Sequence, residues 1–277
     1  MKLIGRICPY LVVCLFLLSA VLTAQQPPVP PRVISPQASD PIERMFSISV
    51  YDWLPQGRPA IRGGVKTTNP AGRDLDLPKN PRRAYGAMLT VPMKGNTRLE
   101  VSYLTLNDSG TAVASHDVTF LDGVIPQNEP LSLDYKLRHI KVAWNYLTYP
   151  NPPDAKLRIK TLWELHYVQV IPTVVLNTLA PDQRLAADKR NLILPAVGLG
   201  LEFVPSSHFR LELRGSGWGL PNRAVLGDGE ATMVGRIRSL EIFAGAKALY
   251  FRTTPQKDTY IKGTLWGPQA GVRWVFR

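Results

Sequence analysis

The stretch that decides the fold is Leu157-Arg-Ile-Lys-Thr-Leu-Trp-Glu-Leu-His-Tyr167. Leu157, Ile159, Trp163, Leu165 and Tyr167 fall on one side of a period of two, and Arg158, Lys160, Glu164 and His166 fall on the other. A period of two is the signature of an extended strand with unlike faces, because successive side chains point to opposite sides. The same alternation recurs outward from this segment. Leu99, Val101 and Tyr103 oppose Arg98, Glu100 and Ser102, while Phe209, Leu211 and Leu213 oppose Arg210, Glu212 and Arg214. Leu240, Ile242, Ala244, Ala246 and Ala248 oppose Glu241, Gly245 and Lys247. No helical periodicity of useful length occurs from Met45 onward.

Alternating strands suit a soluble sandwich, with apolar side chains inside, or a membrane barrel, with apolar side chains facing lipid. Three features favour the barrel. The runs at 131–147 and 156–171 exceed the ~5–6 residues of ordinary strands and reach the ~9–11 needed to cross a bilayer at a tilt. Tight links ("PMKGN", "YPNPPDA", "VPSSH") alternate with long ones near 55–82, 107–130 and 173–189, the rhythm of short periplasmic turns and long outer loops. Aromatic residues cluster near strand ends, including Trp53, Trp144, Tyr146, Tyr149, Trp218, Tyr250, Phe251 and Tyr260, as interfacial girdles require.

Strands are expected near 45–54, 83–92, 97–107, 131–147, 156–171, 190–204, 209–218, 229–237, 240–252 and 263–276. This predicts an all-β, transmembrane, antiparallel up-and-down barrel of ten strands. Merging strands gives the alternative of eight, since the count is normally even. An apparent slip of phase at Arg138–Ile140 suggests a bulge.

Residues 1–24 read as a secretory signal: Lys2 and Arg6, then an apolar run, then a small residue at Ala24. The run falls short of the ~20 apolar residues of a spanning helix. Both cysteines, Cys8 and Cys14, lie in it. The mature chain then has no disulfide framework, thiolate metal site or cysteine nucleophile. The proline-rich stretch 25–44 reads as a periplasmic tail, leaving 45–277 for the barrel. The chain carries 33 basic and 21 acidic residues, a net charge of +12. No nucleic-acid motif accompanies that surplus, so anionic outer-membrane lipid is the expected counterpart.

The last residues, "GPQAGVRWVFR", alternate Ala270, Val272, Trp274 and Phe276 against Gly271, Arg273 and Val275. This resembles the C-terminal strand of bacterial outer-membrane barrel proteins, in which a terminal aromatic is read by the barrel assembly machinery. The departure is Arg277, which follows the aromatic. Turn–strand units such as "PMKGNTRLEVSY" and "PSSHFRLEL" are similar to a broad group of uncharacterised outer-membrane barrels. The resemblance implies the outer membrane of a two-membrane bacterium after signal cleavage. It implies no shared activity.

The inward faces should carry a charge network: Arg98, Glu100, Arg158, Lys160, Glu164, His166, Glu202, Arg210, Glu212, Arg214, Arg236, Glu241, Lys247 and Arg273. In a narrow lumen such charges must pair. The expected role is structural or surface-interacting, with a plugged lumen, long loops of unknown ligand, and no cofactor, metal or enzymatic activity. The basic excess favours a small, mildly anion-selective pore as the alternative. A lipid-acting enzyme is the further alternative. Glu164 and His166, two apart on one face, would be its orienting pair, and His139 reads as a lumen-facing polar residue or a general base.

Overall fold

In a computed structural model of the chain, the described residues are 45–57, 59–62, 75–76, 83–94, 96–113, 117–120, 123–148, 156–176, 189–219, 224–252 and 260–276. The signal and tail expected over 1–44 lie outside them.

Fourteen strands and no helices are found among these residues. They are β1 (Ser47–Trp53), β2 (Pro59–Arg62), β3 (Leu75–Asp76), β4 (Ala84–Pro92), β5 (Thr97–Val113), β6 (Val118–Phe120), β7 (Gly123–Ile125), β8 (Pro130–Thr148), β9 (Leu157–Leu176), β10 (Arg190–Ser206), β11 (Phe209–Gly219), β12 (Val225–Ile237), β13 (Leu240–Arg252) and β14 (Tyr260–Val275). Ten of them close a ring in the order β1-β4-β5-β8-β9-β10-β11-β12-β13-β14, and β14 returns to β1. Closure runs from Ser47↔Val275 to Trp53↔Gln269 and continues beyond the strands, where the Phe276 amide donates to the Phe46 carbonyl at 2.8 Å. A closed ring leaves no unpaired edge, the condition for a sheet in hydrocarbon. β2 and β3 extend the sheet from the start of β14, outside the ring, and β6 and β7 form a separate hairpin.

The parity of ten holds because 229–252 is two strands. The turn Arg238–Ser239 divides them, with Arg238 in the left-handed region at φ 57°. The tight turns and both described termini share one end of the barrel. The long connections leave from the other.

The expected bulge at Arg138–Ile140 is absent. Register is continuous from Pro130 to Thr148 against β5 and β9, and the only irregularity within β10–β11 lies between Phe203 and Ser206. What changes along β8 is the surroundings. Near the turn end, Ile140, Val142, Trp144 and Tyr146 face outward exposed, while His139, Lys141 and Asn145 face inward and are buried. Towards the loop end, Asp134, Lys136 and Arg138 face outward, and Leu131, Tyr135 and Leu137 are buried inside. β5 repeats the inversion: Leu99, Val101 and Tyr103 outside give way to Thr105 and Asn107, and Glu100 and Ser102 inside give way to Leu104 and Leu106. A wall standing in hydrocarbon at one level and water at the next requires this exchange. The periodicity stays intact while its polarity flips.

The interior therefore has two storeys. The storey at the loop end is apolar, built from Trp53, Leu104, Leu106, Leu131, Leu137, Val168, Val170, Leu192, Leu194, Leu226, Leu249, Phe251 and Leu265. Trp53 and Phe251 are thus core residues at 0 % exposure, not girdle aromatics. Trp144, Tyr146 and Tyr250 do stand exposed, as does Trp218. Tyr149 and the Tyr260 side chain lie outside the description. The storey at the turn end is mainly polar, with Leu147, Leu162, Val234 and Phe243 buried among its charges.

Candidate functional site

The polar storey follows from alternation. Each residue opposite a lipid-side apolar position points inward, and ten strands bring those positions together across a narrow lumen. Closest to the turn end, Arg210 lays its fork on Glu241, with Nη1 donating to Oε1 and Nη2 to Oε2, both at 2.8 Å. Its Nε donates to Glu212. Arg273 Nη1 reaches Glu241 at 3.1 Å and Glu212 at 3.6 Å, and its guanidinium lies 5.6 Å from the Phe243 ring centre.

One level further in, Arg214 Nη1 donates to Glu100 at 2.6 Å. Arg98 lies within 3.8 Å of Glu100 and 3.7 Å of Glu202, and Lys160 pairs with Glu202. Above that, Lys141 donates to Asp228 at 2.6 Å, Lys247 donates to Asp228 at 3.1 Å, and Lys247 also pairs with Glu230. Several of these bonds join strands that are not neighbours in the ring, such as β8 to β12 and β5 to β11. They cross the lumen.

Every expected network residue lies on the inward side. Arg158 and Arg236 are half-buried near the turn end, where the Arg236 Nε donates to the Arg238 carbonyl at 3.0 Å. The basic excess narrows in the structure, where Arg158 and Arg236 stand inward in addition to a balanced set. Among the ion pairs, seven carboxylates (Glu100, Glu164, Glu202, Glu212, Asp228, Glu230, Glu241) face seven cations (Arg98, Lys141, Lys160, Arg210, Arg214, Lys247, Arg273). Sequence reasoning missed Asp228, Glu230 and Lys141. In "LGDGEATMV" glycines stand opposite the carboxylates, so no apolar partner marks the alternation. Lys141 was hidden by the supposed bulge.

His166 sits where the storeys meet. Its Nε2 lies 2.9 Å from Glu164 Oε2, and its Nδ1 lies 2.9 Å from His139 Nε2. The two imidazoles stack with centroids 5.1 Å apart and planes 11° apart. All contacts are satisfied when His139 Nε2–H donates to His166 and His166 Nε2–H donates to Glu164. The Ser216 hydroxyl donates to the same Glu164 oxygen. His139 is thus lumen-facing. The hydroxyl is aimed at a carboxylate and not at an imidazole, so the group lacks the nucleophile–base contact of acyl-transfer sites. Glu164, His166 and Asp228 offer ligand atoms within 4.8 Å of one another. Asp228 is already held by two ammonium groups, and their charge opposes a divalent cation there.

A cavity of about 20 Å³ lies in the lower network, between Arg98, Glu100, Arg210, Glu212, Glu241 and Arg273. That is room for roughly one water molecule. The C-terminal aromatics lie outside this site. Trp274 is exposed on the outer wall, and Phe276 packs on Phe46 with ring centres 5.3 Å apart.

No protein-family model matches the chain, and no curated protein sequence matches it. Among solved structures, the chain is similar to the outer membrane protease OmpT of Escherichia coli, with TM-score 0.59 and 8 % identity over 84 % of this chain and 97 % of that one. Weaker likenesses are to Ail of Yersinia pestis (TM-score 0.33, 13 % identity, 83 % and 98 % covered) and to the N-terminal barrel of OprF of Pseudomonas aeruginosa (0.30, 10 %, 83 % and 97 %). At these identities the likeness is one of fold: the chain has the fold of a bacterial outer-membrane β-barrel protein.

Proposed function

We propose that the chain is an outer-membrane protein with a sealed lumen, whose role is structural or surface-interacting and is exerted through its outer end. The supporting observation is a doubly filled lumen: an apolar storey containing Trp53 and Phe251 lies over a network of ion pairs that join strands across the ring, with a cavity of about 20 Å³ in its lower level. Ions crossing this lumen would have to shed water in the apolar storey and then displace paired side chains. The outer end offers material for contact. β5, β8 and β9 run on past the apolar belt to Val113, Pro130 and Leu176, raising one side of the barrel above the other.

The test is a planar-bilayer recording of the refolded protein. Stable insertion without conductance steps is the expected result. Reproducible anion-selective steps would sink the sealed-barrel reading in favour of the pore. For the lipid-acting enzyme, His166→Ala is the discriminating variant. On the sealed-barrel reading it changes stability and leaves the surrounding lipid chemically unaltered, as read by mass spectrometry of extracted lipid.

A further inference from the structure

The ion-paired charges of the lumen balance, and further positive charge stands outside that paired set. Part of it stands at one height on the outer wall. Just beyond the apolar belt, β8, β9 and β10 present a hydrogen-bonded row in register: Arg138 opposite Gln169, and Gln169 opposite Asn191. The Gln169 amide donates to the Tyr167 hydroxyl at 2.7 Å and to Asn191 Oδ1 at 3.1 Å, and the Tyr167 hydroxyl donates to Asn191 at 3.2 Å. Arg138 Nη1 donates to Gln169 Oε1 at a long 3.4 Å, and Arg138 Nε is buried with no partner. Lys136 follows Arg138 on the same outward face, and exposed Lys189 lies two residues before Asn191.

Among the described residues, Lys136, Arg138 and Lys189 meet no carboxylate within ion-pairing distance, and the outward Asp134 pairs with none of them. Seven cations of the lumen, by contrast, each have an acid. The contrast holds along the wall as well. Arg83, at the loop end of β4, has Asp52 at 3.6 Å.

One level towards the turn end, Tyr103, Ile140 and Ile193 stand exposed and apolar. The cations therefore sit at the rim where hydrocarbon gives way to headgroups, and where phosphates supply the negative charge. With one Nη1 hydrogen on Gln169 and Nε buried, the guanidinium keeps its Nη2 hydrogens and the second Nη1 hydrogen for an acceptor with two oxygens.

From this we infer that Lys136, Arg138 and Lys189, steadied by Tyr167, Gln169 and Asn191, form a binding site for the phosphate of an anionic lipid in the outer leaflet. The site rests on the belt placement used above but does not depend on the lumen being sealed. A conducting barrel would end the sealed reading and leave this one standing.

The test is native mass spectrometry of the full chain, expressed in a two-membrane bacterium, extracted in detergent, and supplied with phosphatidylglycerol or phosphatidylcholine of the same chain length. The wild type is expected to retain phosphatidylglycerol at least tenfold better. The triple variant Lys136→Gln, Arg138→Gln, Lys189→Gln should lose that preference, and Arg83→Gln should keep it. Equal retention of the two lipids overturns the site, as does an unchanged preference in the triple variant or an equal loss in Arg83→Gln. Displacement of the lipid by millimolar inorganic phosphate would overturn the lipid as occupant, making it a free-anion site. Folding is checked by the mobility shift between heated and unheated samples. If the triple variant fails that check, Arg138→Lys, which keeps the charge and removes the fork, takes its place, and unchanged preference there overturns the proposal.

Discussion

Aromatic rings in this barrel lie over glycines on the adjoining strand. Tyr51 covers Gly86, Phe243 covers Gly271, and Phe251 covers Gly263, each a register pair. A Cβ added at Gly263 would fall 2.6 Å from the Phe251 ring, and one at Gly86 would fall 2.1 Å from the Tyr51 ring. Gly263→Val should displace Phe251 from the apolar storey and cost about 1–3 kcal/mol, read as a lower urea midpoint of the heat-modifiable band. Gly215→Ala is the control. A Cβ there meets nothing within 4 Å, so the change should stay within about 0.5 kcal/mol. Asp228 is the residue on which the upper charge layer turns, since Lys141 and Lys247 both bind it. Asp228→Asn leaves two buried ammonium groups sharing Glu230 and should cost about 3–5 kcal/mol by the same measurement.

At the scale of the strand, one segment answers to two solvents. β10 carries Ile193, Val197, Leu199, Leu201 and Phe203 outward and exposed, with Asn191 beyond them at the loop end. Leu199→Arg places a charge within the belt and should destabilise by about 2–4 kcal/mol. Asn191→Arg, only eight residues earlier on the same face, should cost less than about 1 kcal/mol, because it lies beyond the hydrocarbon. Equal costs in the urea-dependent folding of the two variants would refute the belt boundary drawn here.

For the whole molecule, the decisive quantity is how the lumen is filled. Buried charges stabilise little in themselves, because desolvation offsets most of their attraction. Pairs such as Lys141 with Asp228 and Arg214 with Glu100 form only where strand stagger and barrel width bring those side chains together. The apolar storey contributes burial in the ordinary way. Trp53→Ala, which empties a site of 0 % exposure, should cost about 3–5 kcal/mol. On the sealed-barrel reading the same variant should still fail to conduct in a bilayer, because the ion pairs beneath it still span the lumen. Ion flow through Trp53→Ala would show that the apolar storey alone forms the seal.

Alternation, link lengths and parity made the ten-strand ring and the inward set from Arg98 to Arg273 legible from the sequence, because a period of two survives whatever surrounds the strand. The side on which each charge falls is local information. The apolar storey was not legible. Its residues alternate in the same way as lipid-facing ones, and only the height of each strand relative to its neighbours shows that Leu104, Leu137, Val168 and Leu192 meet inside. The same shift of height made β8 look bulged at Arg138–Ile140. Pairing was equally out of reach: Lys141 and Asp228 are separated by 87 positions and joined only by ring closure and strand stagger. Which faces are polar belongs to the sequence. Which solvent each face meets, and which charge meets which across the lumen, belongs to the tertiary structure, because both depend on strand stagger that no single strand encodes.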